Sequence, residues 1–161
     1  MQTFREELFE KLQVLYKETT GHKIQLVKHF NAAHVLYRYG EIPKGIYYIN
    51  SGSVKVTKYG ANGREIIIRI ADTHDFVGYL SLLKGWSYKT TAVCLEESEI
   101  YFIAKTVFIK SIKADPEFGY QVIKMLCDRL DSSDQAIEGL ATKSVRERLA
   151  ATLLTLGKAG L

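Results

Sequence analysis

The sequence predicts a mainly β protein, an antiparallel sandwich or barrel with one helix ahead of it and a long helix behind it. Three observations carry that reading. Between Lys23 and about Ala104, short β-branched and aromatic runs (IQLV, HVLYRY, IYYI, SVKV, EIIIRI, DFVGY, TTAV, EIYFI) alternate with turn residues, which suits many short strands rather than an alternating α/β sheet. On either side of this stretch the apolar residues switch to helical spacing. With 161 residues, 47% of them apolar, the chain can bury one core and still carry a helical extension.

The elements follow in order. Phe4, Leu8, Leu12 and Leu15 recur about a turn apart between charged residues and define an amphipathic helix over 3–18, ended by Thr19, Thr20 and Gly21. Asn62-Gly63 tolerates positive φ at both central positions, so the flanking runs SVKVTKY and EIIIRI form an antiparallel hairpin. Gly40 and Gly52 close other strand runs in the same manner. Residues 106–112 fit a short helix. Asp115-Pro116-Glu117 then starts a longer one, with Asp as cap, Pro at the first helical position and Glu in the first turn.

That helix runs past Gln135. Its apolar face uses Phe118, Val122, Met125, Leu126, Leu130, Ile137 and Leu140, with Arg129 and Ser133 interrupting the stripe one turn apart. A stripe of this length exceeds what a small sandwich covers, and it can be buried against a copy of itself, so a homodimer is expected. Ser144 and Glu147 form a capping box that opens a further helix, with Val145, Leu149, Leu153 and Leu156 on its apolar face and Gly157 and Gly160 as stops.

Composition removes several function classes. The N-terminus carries charge every few residues, unlike a secretory signal, and no run approaches the roughly 20 apolar residues of a spanning helix, so no membrane partner is expected. The net charge of +4 is spread along the chain and reads as a mixed solvated surface. Cys94 and Cys127 are far apart and outside any CxxC spacing, which suits a reduced, cytoplasmic setting, with Cys127 a small buried apolar residue. His22, His29, His34 and His74 lack the His-x-His spacing of a metal-dependent jelly-roll enzyme, so no metal site is expected.

The run HVLYRYGEIPKGIYYINSGSVKV over 34–56 contains a strand, a Gly-Glu turn, an aromatic strand ending in Ile, and a Gly turn into a Val-x-Val strand. DFVGYLSLL, KTTAVCLEESEIYFI, DPEFGYQVIKMLCDRL and SVRERLAATLLTL follow it in that order. Together residues 23–161 resemble the cyclic-AMP receptor/fumarate-nitrate regulator (CRP/FNR) family of bacterial transcription regulators. The resemblance implies an antiparallel jelly-roll, or double-stranded β-helix. It implies an effector-sensing domain over 1–114, a dimerisation helix over 115–141, and over 142–161 a hinge and the start of a C-terminal helix-turn-helix domain through which DNA and RNA polymerase are met.

In the family's cyclic-nucleotide-binding members, a short helix matching Gly78 to Leu83 receives the cyclic phosphate on its free N–H groups. A glutamate after the glycine holds the ribose, and an arginine after the helix pairs with the phosphate. Here Tyr79 stands at the glutamate position and Lys89 at the arginine position. The effector pocket so implied comprises Gly78, Tyr79, Leu80, Ser81, Lys89 and Thr90, with Arg129 and Ser133 beside it on the long helix. The dimer interface comprises Val122, Met125, Leu126, Leu130, Ile137 and Leu140. The expected ligand is a small-molecule effector, a cyclic nucleotide or another phosphorylated metabolite, with the cyclic-AMP code altered, so that the effector is a different small molecule or the pocket has lost its ligand. The cysteines are too few for the iron–sulfur centre of the oxygen-sensing members. Two other functions fit the pattern less well: a freestanding cyclic-nucleotide-binding regulatory module, and a cupin-type jelly-roll enzyme.

Overall fold

The computed structural model describes residues 3–20, 27–142, 144, 146–147, 149–150 and 153–154. The chain divides into two compact units, 1–119 and 120–161. The first begins with α1 (Phe4–Thr20), opened by a reciprocal cap in which the Glu6 amide donates to Thr3 Oγ1 and the Thr3 amide donates to the Glu6 carboxylate, each at 3.3 Å. Eight strands follow: β1 (Val27–Phe30), β2 (Val35–Tyr37), β3 (Gly45–Ser51), β4 (Val54–Tyr59), β5 (Glu65–Ala71), β6 (Phe76–Val77), β7 (Thr91–Cys94) and β8 (Ser98–Ala104), with α2 (Tyr79–Lys84) between β6 and β7. Helices α3 (Lys105–Ala114) and α4 (Pro116–Thr142) follow the last strand.

The strands form two antiparallel sheets in the orders β1-β8-β3-β6 and β2-β7-β4-β5. This is the jelly-roll that the sequence predicts, with its N-terminal helix and long C-terminal helix. Leu36, Tyr37, Ile49, Val54, Val56, Ala71, Val77, Tyr88, Ala92, Cys94 and Ile100 make one buried cluster inside it. Strand β3 is buried on both faces, which explains its unbroken apolar run IYYI. Its odd positions Tyr47 and Ile49 belong to the interior, and Tyr48 points the other way, stacked on Phe9 of α1 at 3.8 Å.

The hairpin at Asn62-Gly63 forms, with β4 and β5 paired antiparallel, but not with the tight turn that the dipeptide suggests. Five residues connect the strands, the Gly60 amide donates to the Arg64 carbonyl at 2.9 Å, and of the two central residues Gly63 alone takes positive φ, at 74°. The longer loop needs one left-handed residue, not two. Helix α1 extends two residues beyond the expected end, through Thr20; Gly21 and His22 lie outside the described residues.

A buried carboxylate ties α1 to the roll. Asp75, just before β6, accepts Arg69 Nη1 of β5 at 3.1 Å and the Asp72 amide at 3.3 Å, and it is paired with Arg5 of α1. Beside it, His74 Nδ1 shares a hydrogen bond of 2.7 Å with Tyr48 Oη, and His74 Nε2 lies 3.9 Å from Glu6.

Asp115 caps α4 as its sequence implies, accepting the Phe118 amide at 2.8 Å. That bond, with Lys11 nearby, holds the Asp115 carboxyl below the ordinary aspartate range. A carboxyl with a depressed folded pKa stabilises the fold above its ordinary value of 3.8 and loses this contribution as pH falls through the folded value. Asp115→Asn should therefore keep the cap but lower the neutral-pH Tm slightly while flattening the acid limb of a Tm-versus-pH curve, and Asp115→Ala should lower the neutral-pH Tm further. Asp75→Ala, which leaves two guanidinium groups without their shared partner, should cost about 3 kcal/mol in urea unfolding.

Candidate functional site

Strand β6 runs into Gly78, whose φ of 89° makes the left-handed turn that starts α2. A side chain here would be crowded as well as strained. A Cβ at Gly78 would lie 3.3 Å from Tyr88 Oη, 3.4 Å from Tyr88 Cε1 and 3.6 Å from Tyr37 Cε1. The two rings that cover the glycine stack on each other, 3.8 Å between centroids and 17° between planes. Tyr47 stands further along the same interior, 6.0 Å from Tyr37.

The phenols are held from behind. Tyr88 Oη donates to the Gly45 carbonyl at 3.1 Å, Tyr47 Oη donates to the Leu36 carbonyl at 2.9 Å, and Tyr37 Oη lies 3.5 Å from Thr90 Oγ1. Burial pushes all three phenols above the ordinary tyrosine value. For Tyr37 the Thr90 hydroxyl and the Arg69 charge pull the other way, and Tyr79 adds to the rise. The lining over Gly78 is thus neutral at physiological pH. Arg69 acts on Tyr37 through space, but its guanidinium is engaged by Asp75 and, at 2.6 Å, by the Phe76 carbonyl.

The structure brings some of the expected pocket residues together and separates others. Gly78 and Thr90 flank the tyrosine stack, and Tyr79 is buried. Ser81 is half-buried and its carbonyl accepts the Trp86 amide at 3.0 Å, while Leu80 is exposed. Lys89 is exposed, its Nζ 3.5 Å from Ser87 Oγ and 6.0 Å from the Tyr39 ring centre, so the residue facing Gly78 from this loop is its neighbour Tyr88. The reason is register. In the loop before β7, Tyr88 turns inward, so Lys89 turns out.

On α4, Val122 and Met125 are buried, Leu126, Arg129 and Ser133 are half-buried, and Leu130 and Ile137 are exposed. Ser133 Oγ donates to the Arg129 carbonyl at 2.9 Å. The side chain of Leu140 lies outside what is described, as do Val145 and Leu156. The capping box expected after α4 is present, the Ser144 amide donating to the Glu147 carboxylate at 2.7 Å and the Glu147 amide to Ser144 Oγ at 3.4 Å. Cys127, expected to be buried, is exposed, because it falls on the face of α4 opposite Met125.

Tyr37 and Tyr88 are not among the residues that sequence reasoning selects. A signal for Tyr37 existed in HVLYRY, where strict alternation puts Val35, Tyr37 and Tyr39 on one face. The strand ends at Tyr37, which is buried, and Tyr39 falls in the turn that follows and is exposed.

Residues 27–115 match the family model described as the cyclic nucleotide-binding domain. The chain belongs to the cyclic nucleotide-binding domain family. It is similar to the "cAMP-activated global transcriptional regulator CRP" of Salmonella typhimurium, 29% identical over 124 residues covering 76% of this chain and 59% of that protein. It is also similar to the "Cyclic AMP receptor protein" of Thermus thermophilus, 24% identical over 126 residues covering 78% and 58%. Among solved structures, the c-di-GMP responsive global regulator CLP of Xanthomonas campestris shares the fold with a TM-score of 0.70 at 21% identity, over 91% of this chain and 70% of that one. The chain thus spans less than three fifths of the length of these two curated relatives. The first is named a transcriptional regulator and the second a receptor protein. Among the described residues no helix is long and apolar enough to cross a membrane.

Two substitutions read the tyrosine stack within this cyclic nucleotide-binding domain. Tyr88→Phe keeps the ring but leaves the buried Gly45 carbonyl without its donor, and should cost about 1–3 kcal/mol in chemical unfolding. Gly78→Ala should cost about 1–2 kcal/mol from the left-handed backbone alone, and in a Tyr88→Ala background the same change should cost less than in the unaltered chain, by the steric part only.

Proposed function

We propose that this chain is the effector-sensing and dimerisation part of a CRP/FNR-type transcription regulator, a cytoplasmic homodimer without catalytic activity. In the whole regulator, a C-terminal helix-turn-helix domain would meet DNA and RNA polymerase, and the effector would control that domain. The family membership and the similarity to CRP-type regulators support the class. The reciprocal cap of Ser144 and Glu147, which opens a new helix after α4, favours it over a freestanding nucleotide-binding module.

The observation that carries the effector reading is the Tyr37–Tyr88 stack over Gly78. An anionic cyclic phosphate needs free N–H groups and a cation at that place. Here it would meet neutral phenols, and Lys89 is turned outward. We therefore propose that the effector is a small molecule that is not held through a phosphate at Gly78. Tyr79 likewise offers a ring where a ribose would need a carboxylate.

The dimer reading rests on spacing. Ile123, Leu130 and Ile137 lie seven residues apart and are all exposed, at 56%, 62% and 63%. Leu126, Ser133 and Leu140 repeat three residues after each of them, so the two sets mark out the a and d positions of a parallel two-stranded coil. Val122 and Met125, buried within the chain, lie outside that seam.

Titration calorimetry tests the effector reading. The unaltered chain should give no cyclic-AMP binding at micromolar concentrations, and Tyr79→Glu with Tyr88→Arg should gain some; micromolar binding by the unaltered chain would sink the proposal. For the dimer, sedimentation should find Leu130→Asp monomeric and still folded, whereas Met125→Asp should unfold. A monomeric unaltered chain at high concentration counts against it.

A further inference from the structure

Two loops meet at one edge of the roll, 38–44 between β2 and β3 and 85–90 between α2 and β7. Backbone bonds join them: the Gly40 amide donates to the Tyr88 carbonyl and the Tyr88 amide to the Glu41 carbonyl, both at 2.9 Å. Tyr88 thereby serves two surfaces, its ring inside the roll and its backbone holding the outer loops in register.

What those loops present outward is unusual for solvent-facing turns. Ile42 is 79% exposed, Tyr39 58% and Trp86 54%. The cations around them are arranged rather than scattered: Lys84 Nζ lies 4.3 Å from the Trp86 ring centre and Lys89 Nζ 6.0 Å from that of Tyr39. Among the described residues, Arg38, Lys84 and Lys89 have no ion pair. The one carboxylate in the two loops, Glu41, accepts the Arg38 backbone amide at 3.0 Å. With Lys44, also exposed in the first loop, the two loops and the end of α2 set four cations against one carboxylate around three apolar side chains.

We propose that this patch docks an acidic, amphipathic segment of a partner protein. An apolar side chain of the partner would seat among Tyr39, Ile42 and Trp86, and its carboxylates would meet Arg38, Lys84 and Lys89. Charge complementarity fixes the sign of the partner. Its class follows from the mixture of groups. Trp, Tyr and Arg are the residues on which protein interfaces concentrate their binding energy. Single-stranded nucleic acid would use the cations and rings but gain nothing from Ile42, the most exposed of the three apolar groups. A bilayer would require Trp86 to sink below the headgroups, and Lys84 lies over its ring. The proposal stands apart from the effector reading, because none of these side chains faces Gly78.

Trp86 is the only tryptophan in the chain, so its emission reports this patch alone. The probe is a short, end-blocked helical peptide of Glu and Leu, with a matched Lys and Leu peptide, phosphatidylglycerol vesicles and an oligo-thymidine strand alongside. The Glu and Leu peptide should shift Trp86 emission to the blue, saturably and less strongly at high salt, and the other three probes should not. By anisotropy of the labelled peptide, Ile42→Asp and Lys84→Glu should each weaken binding about tenfold or more, with the far-ultraviolet dichroism and Tm of both variants unchanged. No saturable shift, an equal response to the Lys and Leu peptide, tighter binding of vesicles or oligonucleotide, or full binding by Ile42→Asp would each overturn the proposal.

Discussion

The double-sided burial of β3 is the constraint from which the rest of the roll follows. A strand in the middle of a sheet must cover two faces, and GIYYINS does so with large side chains on both. Tyr48 on the outer face demands a lid, which α1 supplies through Phe9. Because that lid is a single amphipathic helix, it needs fixing at its exposed end. The Asp75 carboxylate, shared between Arg5 and Arg69, provides it in the turn next to His74. On the inner face, Tyr47 and Ile49 fill the roll from the same strand. Lid, clamp and interior packing are consequences of one apolar strand.

Filling the interior with phenols has a chemical consequence that aliphatic packing would not. Each buried hydroxyl needs a partner, and Tyr47 and Tyr88 find backbone carbonyls at Leu36 and Gly45. Burial holds these groups protonated, so each remains a donor already in use. An interior lined this way presents flat ring faces and neutral hydroxyls. The same domain family serves relatives whose names refer to cyclic AMP, and the fold therefore does not set the ligand. In this chain the side chain of the 85–90 loop that meets Gly78 is Tyr88.

Much of the fold was legible in the sequence because it rests on periodicity and on local turn chemistry. The strand runs, the Asp115 cap, the box at Ser144 and the long helix are all decided within a few residues of where they occur. What was not legible depends on where a strand stops and on register. β2 stops at Tyr37, so the alternation read through HVLYRY ends before Tyr39, and one position in the 85–90 loop decides whether Tyr88 or Lys89 meets the glycine. A pattern read at period two does not show where its strand stops. The five-residue turn at Asn62-Gly63 differs for the same reason, since the dipeptide permits a tight turn without requiring one.

Helix α4 illustrates a further limit of reading a stripe from sequence. Seven apolar residues from Phe118 to Leu140 look like one continuous face, yet Phe118, Val122 and Met125 are buried while Leu130 and Ile137 are exposed. The two groups fall on different tracks of the helix. The buried set is spaced by four and three residues near its start, as for a helix packed within a globular unit. The exposed set, with Ile123 added, keeps a seven-residue repeat, which a straight helix presents as a slowly turning seam and a supercoil straightens. Ser133 sits in that seam with its hydroxyl turned back to the Arg129 carbonyl, so it satisfies itself within the helix and asks nothing of a facing surface. In the proposed dimer, a seam weakened at one polar position would hold the two helices together less firmly than an unbroken one. Such a seam would suit a helix pair whose packing had to change when an effector bound.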